Sequence, residues 1–181
     1  MNPITQFTDA ALGWFQLAMR RPDWRGQFDA TREGFFTALG IYFTLVMIAI
    51  LVQGIFSGIP SIPDLAFGIV INGLPLAGAL LAAWGTILSL QLKVPMLEAM
   101  VPITYAMIFL LIAGIAISAI SGGLAPILLG ILAYLLYRAA REILGVSVVF
   151  ALAYAGLSIV LLVALPMSLY MLFAPAAGIA T

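Results

Sequence analysis

The chain has 181 residues, of which 65% are hydrophobic and only 8% charged, and its seven basic side chains balance seven acidic ones. Its mean hydropathy is +1.22. A soluble domain is roughly 45–50% apolar and about 25% charged, so a water-soluble fold is excluded for most of this length, and the neutral balance offers no footprint for nucleic acid.

Residues 3–19 predict an amphipathic helix. Pro3 suits the first turn, where its missing N–H costs nothing, and Phe7, Ala11, Trp14, Phe15 and Ala18 recur at three- and four-residue spacing. Arg20 and Arg21 follow at the end where cations oppose the helix dipole and reach lipid phosphates. The expected placement is in the cytoplasmic headgroup plane, with Trp14 and Phe15 inserted. The same periodicity also suits a helix docked on the protein's own cytoplasmic face. These thirty-odd residues carry Asp9, Arg20, Arg21, Asp23, Arg25 and Asp29, so they do not read as a signal peptide, and insertion is expected through the first span.

Residues 1–34 therefore form a cytoplasmic helix and linker, and 35–181 a membrane domain of five spans: about 35–56, 65–91, 96–120, 124–141 and 143–173. Pro75, Pro102 and Pro166 are expected to kink their helices. Turns fall at 57–64, at Lys93-Val94-Pro95 and at Ser121-Gly122-Gly123. The fourth span is short: residues 124–137 reach about 21 Å at ~1.5 Å per residue, against a core of ~30 Å. Arg138 and Arg141 can add a turn by snorkelling. A re-entrant hairpin is the alternative, but it puts both arginines outside, against the positive-inside tendency. With five spans and the N-terminus inside, Arg20, Arg21, Arg25, Arg32, Lys93, Arg138 and Arg141 are all cytoplasmic, and Asp64 is the only charge in the outer loops. The C-terminus is then periplasmic.

Chemistry has few places to reside. There is no cysteine and no histidine, which removes disulfides, thiol nucleophiles and most metal ligation, so no metal or cofactor is expected. Glu98 is the one charge at or just below the membrane surface, either marking an ion path or hydrated near Lys93. Asn72 and Gln53 are polar within or beside spans, where such groups usually hold helices together. Neither a proton relay nor a nucleophile–base pair can be assembled, so no enzyme is expected. Glycines and alanines along the spans permit close helix packing, within the bundle or with a partner.

The arrangement of an amphipathic N-terminus and five tightly spaced spans resembles the Yip-domain family of membrane proteins. Leu17-Ala18-Met19-Arg20-Arg21-Pro22 is similar to the segment leading into the first span of its bacterial members. Tyr137-Arg138-Ala139-Ala140-Arg141-Glu142-Ile143-Leu144-Gly145-Val146-Ser147, followed by Ala151, is similar to their charged connection into the last span. The resemblance implies a non-enzymatic integral membrane protein, and the lean loops suggest a bacterial inner membrane. The expected role is a scaffold or accessory subunit that binds other membrane proteins, itself or lipid. The alternative is a permease or channel component with Glu98 and Asn72 near a solute path.

Overall fold

The first three helices begin where the chain supplies its own cap. Asn2 accepts from the Ile4 amide at 3.1 Å ahead of Pro3, and Thr31 accepts from the Gly34 amide at 3.0 Å. Ser61 and Asp64 form a reciprocal capping box. That box starts the second long helix at Ile62 rather than at the expected residue 65, and the spacing Ser61-x-x-Asp64 ahead of an apolar run was its signal.

The computed structural model describes residues 2–58, 60–118 and 125–177. Their order is α1 (Pro3–Ala18), a 3-10 turn (Pro22–Gln27), α2 (Arg32–Ser57), α3 (Ile62–Ser89), α4 (Met96–Ser118), α5 (Ala125–Glu142) and α6 (Val148–Ala177). The described residues form helices and no strands. The linker expected at 22–34 is partly ordered as the 3-10 turn, with Trp24 and Phe28 buried beneath α1. The expected turn at 121–123 lies outside the described residues.

Four helices, α2, α3, α4 and α6, are long and apolar enough to cross a membrane. The fourth expected span, 124–141, is the helix α5, but Arg138, Arg141 and Glu142 crowd its last turns and keep it out of that group. The last helix begins at Val148, five residues later than expected, because α5 ends in a left-handed Gly145 (φ 66°) and a short connection. In that connection Ile143, Leu144 and Val146 are buried, and Arg141 donates to the Val146 carbonyl at 2.6 Å.

Helices α2 and α3 form an antiparallel hairpin, since a Cβ on Gly68 would sit 3.0 Å from Ile50 and one on Gly73 3.5 Å from Phe43. Helix α4 is central. It packs on α1, α2, α3 and α5, and every residue from 101 to 108 is buried. Helix α6 closes the other side against α3 and α5.

The α3–α6 contact depends on one missing side chain. A Cβ on Gly78 would lie 3.2 Å from the Leu161 carbonyl carbon and 3.2 Å from Leu165. Gly78→Leu is expected to separate the two helices and cost about 1–3 kcal/mol, as overpacked cores do. Thermal unfolding in detergent checks this, with Gly85→Leu as the control because its Cβ would meet nothing within 4 Å.

Candidate functional site

Two features concentrate the polar groups of an otherwise apolar molecule: the docking of α1, and a cleft among α2, α3 and α4.

Helix α1 lies against the bundle on the face formed by Gln6, Ala10, Gly13, Trp14 and Leu17. Trp14 is 4% exposed, and its indole N–H donates to the Pro102 carbonyl at 2.9 Å. Its ring meets Phe28 edge-on, with centroids 6.2 Å apart. Phe7 packs on Phe109 with centroids 5.4 Å apart. Gly13 is required here, because a Cβ would come within 2.8 Å of the Phe28 ring. The expected insertion of Trp14 into headgroups is thereby corrected in favour of the docked alternative: the indole anchors α1 to α4 within the chain, since a hydrogen bond to a buried carbonyl satisfies its one donor. Phe15, its neighbour in sequence, points the other way and is 54% exposed.

The C-terminal end of α1 is held by α5. Arg138 is 3% exposed, and its Nε and Nη2 donate to the Leu17 carbonyl at 3.3 and 3.0 Å. Its Nη1 pairs with Glu142 one turn on, at 3.1 Å. Tyr134 adds a 3.3 Å hydrogen bond to the Ala18 carbonyl. Arg138 therefore does not snorkel. It carries a cation to the negative end of the α1 dipole and adds a charge-assisted partner to a carbonyl that also accepts from the Arg20 amide at 3.2 Å. On the other flank, buried Gln6 donates to Asp29 at 3.1 Å, and Asp29 abuts Gly34 so closely that no side chain fits there.

The cleft has a volume of about 850 Å³ and is lined mainly by Ala49, Val52, Pro75, Met107, Leu110 and Gly114, with Tyr42, Asn72 and Gln53 as its polar members. No charged residue lines it. Tyr42 donates to the Asn72 carbonyl at 2.6 Å, and the Asn72 amide donates back to Gly68 at 2.8 Å on its own helix. Pro75 stands three residues further along α3 and lacks the N–H that would serve the Ile71 carbonyl. This is the part of α3 where polar side chains and an interrupted ladder coincide.

Glu98 is not part of that cleft. It is exposed in the first turn of α4, where a carboxylate complements the helix dipole. Arg20 and Arg21 are exposed at the end of α1. The residues singled out from sequence thus divide into four places: Trp14 inside, Phe15 with Arg20 and Arg21 outside on α1 and its end, Asn72 in the cleft, and Glu98 at the start of α4. Arg138 and Pro102 were read only as a snorkelling cation and a helix kink, and Tyr42 was not picked out as a site residue. The Arg138–Glu142 spacing on one helix face was the only local hint.

This architecture, four apolar helices of spanning length with a further helix docked on the central one, is that of a multi-pass membrane protein. The chain matches no protein-family model, curated protein or solved structure against which it was compared.

Proposed function

We propose that this chain is a five-span integral membrane protein that acts by binding rather than by catalysis, as a scaffold or accessory subunit for membrane proteins or lipid. The observation that carries the reading is the cleft of about 850 Å³ with apolar walls and no charged lining residue. It lies within the range of ~300–1,000 Å³ usual for ligand sites, and its only polar lining residues are Tyr42, Gln53 and Asn72. A permease of the kind the sequence allows needs Glu98 and Asn72 on one path, and Glu98 stands outside the cleft.

The fifth span is α5. Its 18 residues reach about 27 Å at ~1.5 Å each. The binding of both α4, at Pro102, and the end of α5, at Arg138, by residues of one turn of α1 supports a full return of the chain across the bundle. Orientation follows from charge: all seven basic residues fall in the N-terminal segment, at the start of α2, in the α3–α4 turn or near the end of α5. The positive-inside tendency puts these on the cytoplasmic side, with the C-terminus periplasmic in a bacterial inner membrane. The Yip-type resemblance fits this reading and no activity is transferred from it.

Gentle extraction followed by native mass spectrometry tests the proposal. The expected result is a particle carrying lipid or a partner protein at fixed ratio. Gly114 lines the cleft with no neighbour within 4 Å of its Cβ position, so Gly114→Phe is expected to fill it and release that ligand while the bundle stays folded. A ligand retained unchanged in Gly114→Phe removes the cleft from the proposal.

A further inference from the structure

Helix α1 is apolar on two faces, and docking uses only one of them. Ile4 (72% exposed), Leu12 (54%), Phe15 (54%) and Met19 (60%) remain outside. At about 100° per residue these four fall within one quadrant of the helix, clear of the docked face, together with exposed Thr8, whose hydroxyl donates to the Thr5 carbonyl at 2.8 Å. Thr5, Asp9 and Gln16 form a narrow polar strip between the two apolar faces. Such a helix has three environments, and the docked face accounts for one.

The depth of α1 indicates what covers the second. The helix does not cap the end of the bundle: it runs beside α4, with Trp14 on Pro102 and Phe7 on Phe109. Phe109 stands thirteen residues beyond Met96, about 20 Å along the axis at ~1.5 Å per residue. The outward face of α1 therefore looks sideways from the bundle, while Gln6 on its docked face still reaches Asp29, just ahead of α2. Arg20 and Arg21 stand at the α1 terminus next to that face, both exposed, and Arg20 ends the helix in a left-handed conformation (φ 59°). A bulky charged residue at a position that suits glycine or asparagine is kept at some conformational cost.

We propose that the outer face of α1 is a lipid-binding surface: Ile4, Leu12, Phe15 and Met19 enter the acyl boundary of the cytoplasmic leaflet, and Arg20 and Arg21 bind anionic phospholipid headgroups. The helix is a wedge between bundle and bilayer, with Thr5 the exposed member of the strip that separates its two apolar faces. The inference rests on the bundle crossing the membrane as proposed above, and the roles of Trp14 and Phe15, alike in sequence, are opposite in it.

The chain has no cysteine, so single nitroxide labels can be placed at Phe15→Cys, at Val160→Cys on the exposed side of α6 and at exposed Asp23→Cys. The protein is reconstituted in vesicles of phosphatidylcholine or an equal mixture with phosphatidylglycerol, and collision with oxygen and with a water-soluble nickel chelate is compared. The expected result is lipid-like collision at Phe15 and Val160 and water-like collision at Asp23. Water-like collision at Phe15 with lipid-like Val160 overturns the wedge and leaves the bundle reading intact, freeing that face for a soluble partner; water-like collision at both overturns the bundle reading itself. For the headgroups, Arg20→Gly with Arg21→Gln keeps the helix end and removes both charges. Retention of phosphatidylglycerol is expected to fall about thirtyfold, and equal retention with and without the arginines overturns the anionic-lipid assignment.

Discussion

Arg138→Ala is expected to release α1 from the bundle at a cost of about 3 kcal/mol. The guanidinium is 3% exposed and spends three of its donors on two partners, the Leu17 carbonyl and Glu142. The Glu142 pairing contributes little, because that carboxylate is 40% exposed and water screens it. The cost lies in the Leu17 carbonyl, which loses a charge-assisted partner inside the protein and keeps only the Arg20 amide at 3.2 Å, and in the void left by a buried side chain. Arg138→Lys is not conservative here, since one ammonium cannot reproduce the paired Nε and Nη2 contacts. The check is a cysteine at Ala10, which is fully buried in the docked face. It is expected to resist a soluble maleimide in the parent and to react in Arg138→Ala, while the apolar core of the bundle stays folded. Equal protection in both makes the arginine dispensable for docking.

Trp14→Ala is expected to have an effect of the same size by another route. It removes a buried aromatic side chain and leaves a void among Phe28, Gly13 and α4, a class of change that costs about 3–5 kcal/mol. Trp14→Phe keeps most of the ring and loses the 2.9 Å hydrogen bond to Pro102, so about 1 kcal/mol is expected. The Ala10 cysteine reads both, and it is expected to react in Trp14→Ala far faster than in Trp14→Phe. A headgroup anchor would give a different pattern. Loss of Trp14 would then weaken membrane affinity and leave the protection of Ala10 unchanged.

The two substitutions act on one docked helix, so their effects are expected to combine less than additively: once α1 has left, the second contact has nothing more to lose. Their coupling is the measure of how far α1 docks as a single unit.

Where the helices lie was legible from local pattern. Apolar runs, proline and glycine punctuation, and polar caps are properties of neighbouring residues, and they placed α1, α2 and α4 within a few residues of the observed ends. The same signals misplaced the start of α6, because Ile143, Leu144 and Val146 are as apolar as a helix interior. They are buried instead in a connection that only Gly145 and Arg141 define. The expectation that every basic residue shares one side of the membrane needs only the order of charges along the chain and the number of spans.

The use of each face was a different matter. Trp14 and Phe15 satisfy the same periodicity, and no count of spacing separates the one that meets Pro102, 88 residues away, from the one left outside. Arg138 read as a cation at the end of a short span, because its partner, the Leu17 carbonyl, lies 121 residues earlier. The cleft joins Tyr42, Asn72 and Gly114 from three helices, and no local pattern announces a void. Sequence by itself determined the apolar helices and most of their positions, and with them the expectation of a lipid solvent, because hydropathy and capping act between near neighbours. Only the tertiary structure decided which apolar face is protein and which is free, because that depends on the shape and hydrogen-bonding groups of a surface assembled from distant parts of the chain.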